Sequence, residues 1–201
     1  MTKGEQTRER IIAESAELFN RRGYAGASLS DIIERTGIQK GGIYRHFGSK
    51  DEIALEAYGY ATGVVGARIR ETMAERASAS EKLLAYFDVY RDVAESPPFA
   101  GGCPLLNTAV ESDDGHPALR DRARQSMANT LESMKRIIAE GIRSGEFRPD
   151  LDADALAGFA LASMEGSIMM SKLEGSNRHI RTNRDSFAAY LERYCRRSSQ
   201  T

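Results

Sequence analysis

Between Lys40 and Lys50 the chain reads KGGIYRHFGSK, which places Lys40, Tyr44, Arg45, His46 and Lys50 within a few turns of one another. Ammonium, guanidinium, phenol and imidazole groups at this density can donate hydrogen bonds to phosphate oxygens and to base edges. Gly41 and Gly42 add backbone with no side-chain bulk, which permits close approach to such a surface. Covalent or acid–base catalysis would need a convergent set of acid, base, nucleophile or metal ligands instead. The histidines are scattered at His46, His116 and His179, and the chain has no H-E-x-x-H, P-loop or dinucleotide fingerprint.

The elements that must hold these groups are two short helices around a glycine turn. Leu29, Ile32 and Ile33 recur at i, i+3, i+4, which gives the first helix one apolar side. Ser28 precedes that run with Asp31 three residues later, a near capping box. Gly37 ends the helix where a left-handed residue is cheapest. Ile43 and Phe47, at i and i+4, are the buried side of the second helix. Gly41, Gly42 and Arg45 then fall opposite, with Lys40, Tyr44 and His46 on the flanks. This is the pattern of a helix-turn-helix whose second helix enters the major groove. The competing reading is an ordinary helical hairpin with a solvated polar face.

The order Gly37, Ile38, Lys40-Gly41, Ile43-Tyr44, His46-Phe47, Ser49-Lys50 resembles the DNA-binding domain of the TetR family of bacterial repressors. The resemblance is specific over about the first quarter of the chain. It implies base-edge and close groove contacts at Lys40, Gly41 and Gly42, and phosphate contacts at Tyr44, His46 and Lys50. Ser28 and Ser30 lie where the supporting helix begins near the DNA backbone. The family often carries Ser, Thr or Pro where this chain has Gly42, so one hydroxyl contact is missing here. Arg45 occupies a variable position. Its residue type makes it a candidate for bidentate recognition of guanine, or else a solvated or phosphate-binding cation.

Charge supports a protein that touches DNA with one end. Met1–Lys50 carries nine Lys/Arg against six Asp/Glu, net +3, which leaves −4 for the rest of a chain whose total is −1. The 201 residues are 41% hydrophobic and 28% charged, the composition of a globular protein with a sizeable core. Cys103 and Cys195 have no paired spacing, so neither a disulfide framework nor a metal site is expected. No cofactor is expected. The N-terminal MTKGEQTRER has no apolar signal core and no apolar run reaches membrane-spanning length, so the protein is expected in the cytoplasm, away from membranes.

The rest of the chain reads as helices. The first spans Thr7–Arg22; Lys3 and its neighbours ahead of it form either a tail or an arm that reaches an adjacent groove. Ser49 with Glu52 is a complete capping box for a long helix to about Arg76. Further helices are expected at Glu81–Glu95, Cys103–Ser112, Pro117–Arg143, Asp152–Leu173 and Asn183–Arg196, with Glu174–Thr182 as a polar loop. No stretch alternates in the manner of a strand. The expected fold is all-α with about nine helices. Residues 1–50 form a three-helix helix-turn-helix DNA-binding domain, and 51–201 a helical regulatory, ligand-binding and dimerisation domain.

The body resembles, through Gly102-Cys103-Pro104-Leu105 and Glu165-Gly166, a TetR subgroup that responds to drug-like or aromatic compounds. Phe87, Tyr90, Phe99, Met127, Met164 and Met169 are aromatic or adaptable side chains of the kind that line an apolar effector pocket; otherwise they are filled core. Glu165, on an otherwise apolar helix, would face either a ligand donor or an arginine across a dimer. That helix is apolar nearly all round, so it and the last helix are expected to pair two copies, unless it is simply central to the monomer. The expected protein is a transcriptional repressor: a homodimer on double-stranded palindromic operator DNA, released by a small hydrophobic or aromatic effector. The alternatives are a helical enzyme or a helical scaffold that binds no DNA.

Overall fold

The computed structural model describes residues 2–197; of the expected domain limits, Met1 and residues 198–201 lie outside them. Among the described residues are nine α-helices: α1 (Lys3–Arg22), α2 (Leu29–Thr36), α3 (Lys40–Ile43), α4 (Lys50–Ala74), α5 (Ala79–Asp88), α6 (Pro104–Ser112), α7 (Pro117–Ser144), α8 (Ala153–Glu174) and α9 (Arg178–Tyr190). A π-helical turn, Leu191–Cys195, closes α9, with Arg196 N–H donating to Leu191 O at 3.1 Å. Extended pairing is confined, among these residues, to one antiparallel bridge between Phe147 and Arg196. None of these helices is long and apolar enough to cross a membrane.

The chain packs as two compact units. The first takes the residues up to Val65 together with Phe99–Ser126; the second takes Gly66–Pro98 and the residues from Met127 onward. In the first unit Ile11, Ile12 and Leu18 of α1 meet Ile32 of α2, Ile43 of α3, Phe47 and Ile53. Each of these side chains contributes about 1.5–3 kcal/mol by leaving water, which is what holds so short an α3 in place. In the second unit Phe87 of α5 stacks on Phe187 of α9, with centroids 5.1 Å apart.

Several helix ends differ from the sequence expectation, each for a local reason. Helix α1 begins at Lys3 rather than Thr7, because Thr2 and Glu5 form a complete capping box; Lys3 is therefore helical and not part of a loose tail. Ser49 Oγ accepts from Glu52 N at 3.1 Å, but the Glu52 carboxylate turns back to Gly48 N at 2.7 Å, so the expected box at α4 is only half made. Helix α5 starts at Ala79 behind a Ser78–Glu81 capping box and stops at Asp88, where turns replace the expected last part. Helix α9 begins inside the expected polar loop. Its start is fixed by buried Asn177, whose Oδ1 accepts from Ala94 N at 2.8 Å, and by Ser171 Oγ, which accepts from Ile180 N at 3.0 Å.

Glu146, in the turn after α7, is a structural anchor that sequence periodicity did not indicate. Its carboxylate accepts from Ala79 N (2.6 Å), Ser80 N (2.9 Å) and Ser80 Oγ (2.6 Å), and so supplies a second cap for α5. Burial would raise its pKa, but the bonds from Ser80 and Ala79 outweigh that and hold it below the ordinary glutamate range. The resulting stability is present above that range and is lost as pH falls through the lowered folded value. Glu146→Gln should cost about 1–3 kcal/mol, the scale of hydrogen bonds to a charged group. Urea unfolding at neutral and acid pH should show the gap between variant and parent narrowing toward acid.

Candidate nucleic-acid interface

The turn between α2 and α3 is set by three local devices. Gly37 takes the left-handed conformation (φ 65°, ψ 12°) and donates to Ile33 O at 2.8 Å, ending α2. Thr36, fully buried, donates its hydroxyl to Ile32 O at 2.7 Å and accepts from Ile38 N at 3.2 Å, so its side chain spans the bend. Ser28 caps the start of α2 through Asp31 N at 3.2 Å, and Asp31 returns a bond from Ser28 N at 2.7 Å. The Ser28 hydroxyl and amide and the Arg22 guanidinium hold the Asp31 carboxyl below its usual range. Here the capping box anticipated between Ser28 and Asp31 is complete.

Helix α3 is a single regular turn, extended by Phe47 N donating to Ile43 O at 3.1 Å. Ile43 and Phe47 are buried, as their i, i+4 spacing implies, and this orients the rest. Lys40, Gly41, Tyr44 and Arg45 are exposed, and His46 is half-buried. No side chain caps α3, because Gln39 makes no capping bond. Lys40 Nζ lies 5.9 Å from the Tyr44 ring centroid, and Arg45 makes no ion pair or hydrogen bond with its side chain among the described residues. Gly41 has open space around it, whereas a Cβ at Gly42 would come within 2.8 Å of Ile38 Cγ2. A side chain at Gly42 would have to displace the Ile38 methyl.

The basic count of the N-terminal stretch overstates the charge free to meet DNA. Arg8 pairs with Glu56, and its guanidinium lies 5.0 Å from the Phe47 centroid. Arg22 pairs with Asp31 at 2.8 Å, and Arg35 with Glu14 and Glu17 at 2.9 and 3.0 Å. Lys50 Nζ donates to Tyr24 O at 2.6 Å and lies 4.0 Å from the centre of the Tyr24 ring. Its ammonium therefore clips the α1–α2 link. Ser28 and Ser30 are exposed at the start of α2.

Residues 11–57 match the family described as bacterial regulatory proteins, tetR family, and residues 79–187 match the tetracyclin repressor-like C-terminal domain. The chain belongs to the TetR family. A TetR transcriptional regulator from Chloroflexus aurantiacus has the same fold, with a TM-score of 0.94 and 42% identity, over 98% of this chain and 100% of that one. An uncharacterized HTH-type transcriptional regulator of Mycobacterium tuberculosis is 30% identical over 83% of this chain and 84% of its own length. The HTH-type transcriptional repressor DhaR of a Mycobacterium species is 27% identical over 83% of both. As a member of the TetR family, the protein is a DNA-binding transcription regulator rather than an enzyme.

The side chains anticipated as an effector pocket in this TetR-family chain fall in both units. Phe99 belongs to the first unit, where its ring meets Tyr60 at 6.3 Å. In the second unit Phe87, Tyr90 and Met164 are buried core, and Glu165 is half-buried on α8. Met127 and Met169 are surface side chains, 43% and 53% exposed. Phe87 forms one wall of a groove of about 620 Å³ whose other walls include Arg76, Arg91, Arg181 and Arg184, a polar setting rather than an apolar one.

Proposed function

We propose that this TetR-family regulator is a dimeric repressor that reads a palindromic operator and is released by a small hydrophobic or aromatic effector. The observation that carries the DNA half is the exposure of Lys40 and Arg45 beside open Gly41, on a turn locked from behind by Ile43 and Phe47. In this reading Lys40, Gly41, Gly42 and Arg45 meet the groove, and Tyr44, His46, Lys50, Ser28 and Ser30 meet phosphates. Residues 1–50 then bind DNA, and 51–201 regulate and dimerise, in the cytoplasm where the operator lies. The repressor sign accords with DhaR, a relative whose name gives that role.

The dimer half rests on a continuous apolar face of α8 and the α9 end. Phe159, Met169, Met170 and Leu173 are 47%, 53%, 43% and 85% exposed in the single chain, and Tyr190 and Tyr194 extend the face. Phe159, Tyr190 and Tyr194 form a run of ring contacts at 5.1 and 5.2 Å across this face. So large an exposed patch marks an interaction site, and pairing on a two-fold axis would present two heads to a palindrome.

The test is to enrich genomic DNA on the purified protein and titrate the enriched duplex against a scrambled one. Preference by at least about 10³-fold at physiological salt is the expected result for a specific regulator. Equal affinity for both duplexes would overturn the reading.

A further inference from the structure

We propose that the first unit holds an effector site of its own: a pocket that takes a small uncharged aromatic compound with a hydroxyl group, and whose occupancy weakens operator binding. The consequence for DNA rests on the ligand-released repressor reading above; the binding half stands on the pocket. The arginine-walled groove of the second unit is a poorer candidate, because Arg76 and Arg184 already pair with Asp88, and Arg181 with Asp92.

The pocket lies among α1, the first half of α4, α6 and the start of α7, and has a volume of about 220 Å³. Its room comes from Ala16 on α1 and Ala54, Ala57 and Ala61 on α4, four alanines facing in where larger residues would fill the space. A dry apolar cavity of about 150 Å³ suffices to hold benzene, so this one has room for one substituted ring or two fused rings. Phe19, Tyr24 and Tyr58 supply aromatic walls. The wall is preorganised: the His116 ring meets Tyr24 edge-on at 4.7 Å, and His116 Nδ1 accepts from Leu119 N at 3.2 Å.

Glu111 gives the pocket its selectivity. Its Oε2 accepts from Tyr24 N at 2.8 Å and its Oε1 from Ala25 N at 2.9 Å. Each carboxylate oxygen has a further lone pair for a ligand hydroxyl, whereas an anionic ligand would meet like charge. The contacts also show why occupancy matters for DNA. Tyr24 and Ala25 form the link from α1 to α2, and three groups hold that link: Glu111 on the two amides, Lys50 on the Tyr24 carbonyl, and Asp51, which accepts from the Tyr24 hydroxyl. Burial first, and then Asp51, push the Tyr24 pKa up to about 12, so its hydroxyl stays a donor throughout the working range. Gly23, at φ 78°, packs so tightly under Glu111 that a Cβ there would lie 2.6 Å from Oε1. A ligand hydroxyl that draws Glu111 away from the amides loosens the segment that sets the position of α2 and α3. It shifts the balance only by its preference for the loosened state.

2-Naphthol is a suitable probe, because the chain has no tryptophan to obscure its emission. Titration of the full-length protein should give saturable binding below millimolar concentration, and 2-naphthoate should bind at least tenfold more weakly. Ala61→Leu, which fills the pocket, should weaken 2-naphthol at least tenfold while leaving operator affinity without ligand unchanged. Ala57→Val serves as the second filler should the first fail to give a folded protein by circular dichroism. Saturating 2-naphthol should weaken operator binding severalfold in the parent and not in the filled variant. Absence of saturable binding, binding equal in parent and filled variant, or binding with no change in operator affinity would each overturn the inference. If the 2-naphthol results overturn the site but another hydrophobic compound releases the parent from its operator, the ligand-release reading survives and only this site falls; if no compound of a hydrophobic panel releases the parent, that reading falls as well.

Discussion

Replacing Met169 and Leu173 together by aspartate is expected to convert the proposed dimer to monomers and to weaken operator binding by about 10²–10⁴-fold, the usual range for losing a linked second site. Both side chains point largely into solvent in the single chain, so the monomer fold should tolerate the change. Across a dimer the four introduced carboxylates would face an apolar surface and one another, and their desolvation is costly without partners. Light scattering should report the mass halved, and far-UV circular dichroism should be unchanged. A double variant that stays dimeric and binds as before would move the interface off this face.

The second large effect belongs to Arg45. If it reads guanine, Arg45→Ala should cost about 1–3 kcal/mol at one base pair of each half-site and relax the preference there. Lys40→Ala tests the proposed neighbouring groove contact. Among the described residues neither side chain has an ion pair, so thermal stability should stay within about 0.5 kcal/mol of the parent. Lys50→Ala should behave differently. It removes the bond to Tyr24 O as well as a cation proposed to meet phosphate, so it should lower stability together with the salt slope, the latter by about one unit. Operator titration at several salt concentrations separates the three. An Arg45→Ala protein with unchanged base preference would make that residue a backbone contact.

The DNA-binding half was legible in the sequence because its determinants are local. Ser28 with Asp31, Gly37, and the spacing of Ile43 and Phe47 each act within four residues, and each appears in the structure where its spacing placed it. Side-chain roles that depend on distant residues were not legible. Nothing in the run ending at Lys50 shows that its ammonium closes on the carbonyl of Tyr24, or that Ile38 leaves no room for a side chain at Gly42 until it moves. The same limit explains Glu146, which caps a helix 67 residues away, and Asn177, which ties the start of α9 to a turn 83 residues away at Ala94. Residue type is all that marks the aromatic and methionine set in the body. Type alone does not distinguish a filled core, as at Phe87 and Met164, from a surface, as at Met169. The pocket in the first unit is marked by small residues, four alanines, and not by bulky apolar side chains alone.

The most direct test of the central claim is a hydroxyl-radical footprint of the protein on the duplex it enriches. Two heads carried on one two-fold axis should protect two half-sites related by a dyad, with centres about 34–36 Å apart or a multiple of that. Protection should fade in both halves together as Lys40 and Arg45 are replaced. A single asymmetric patch, or a footprint unchanged by those replacements, would contradict the account.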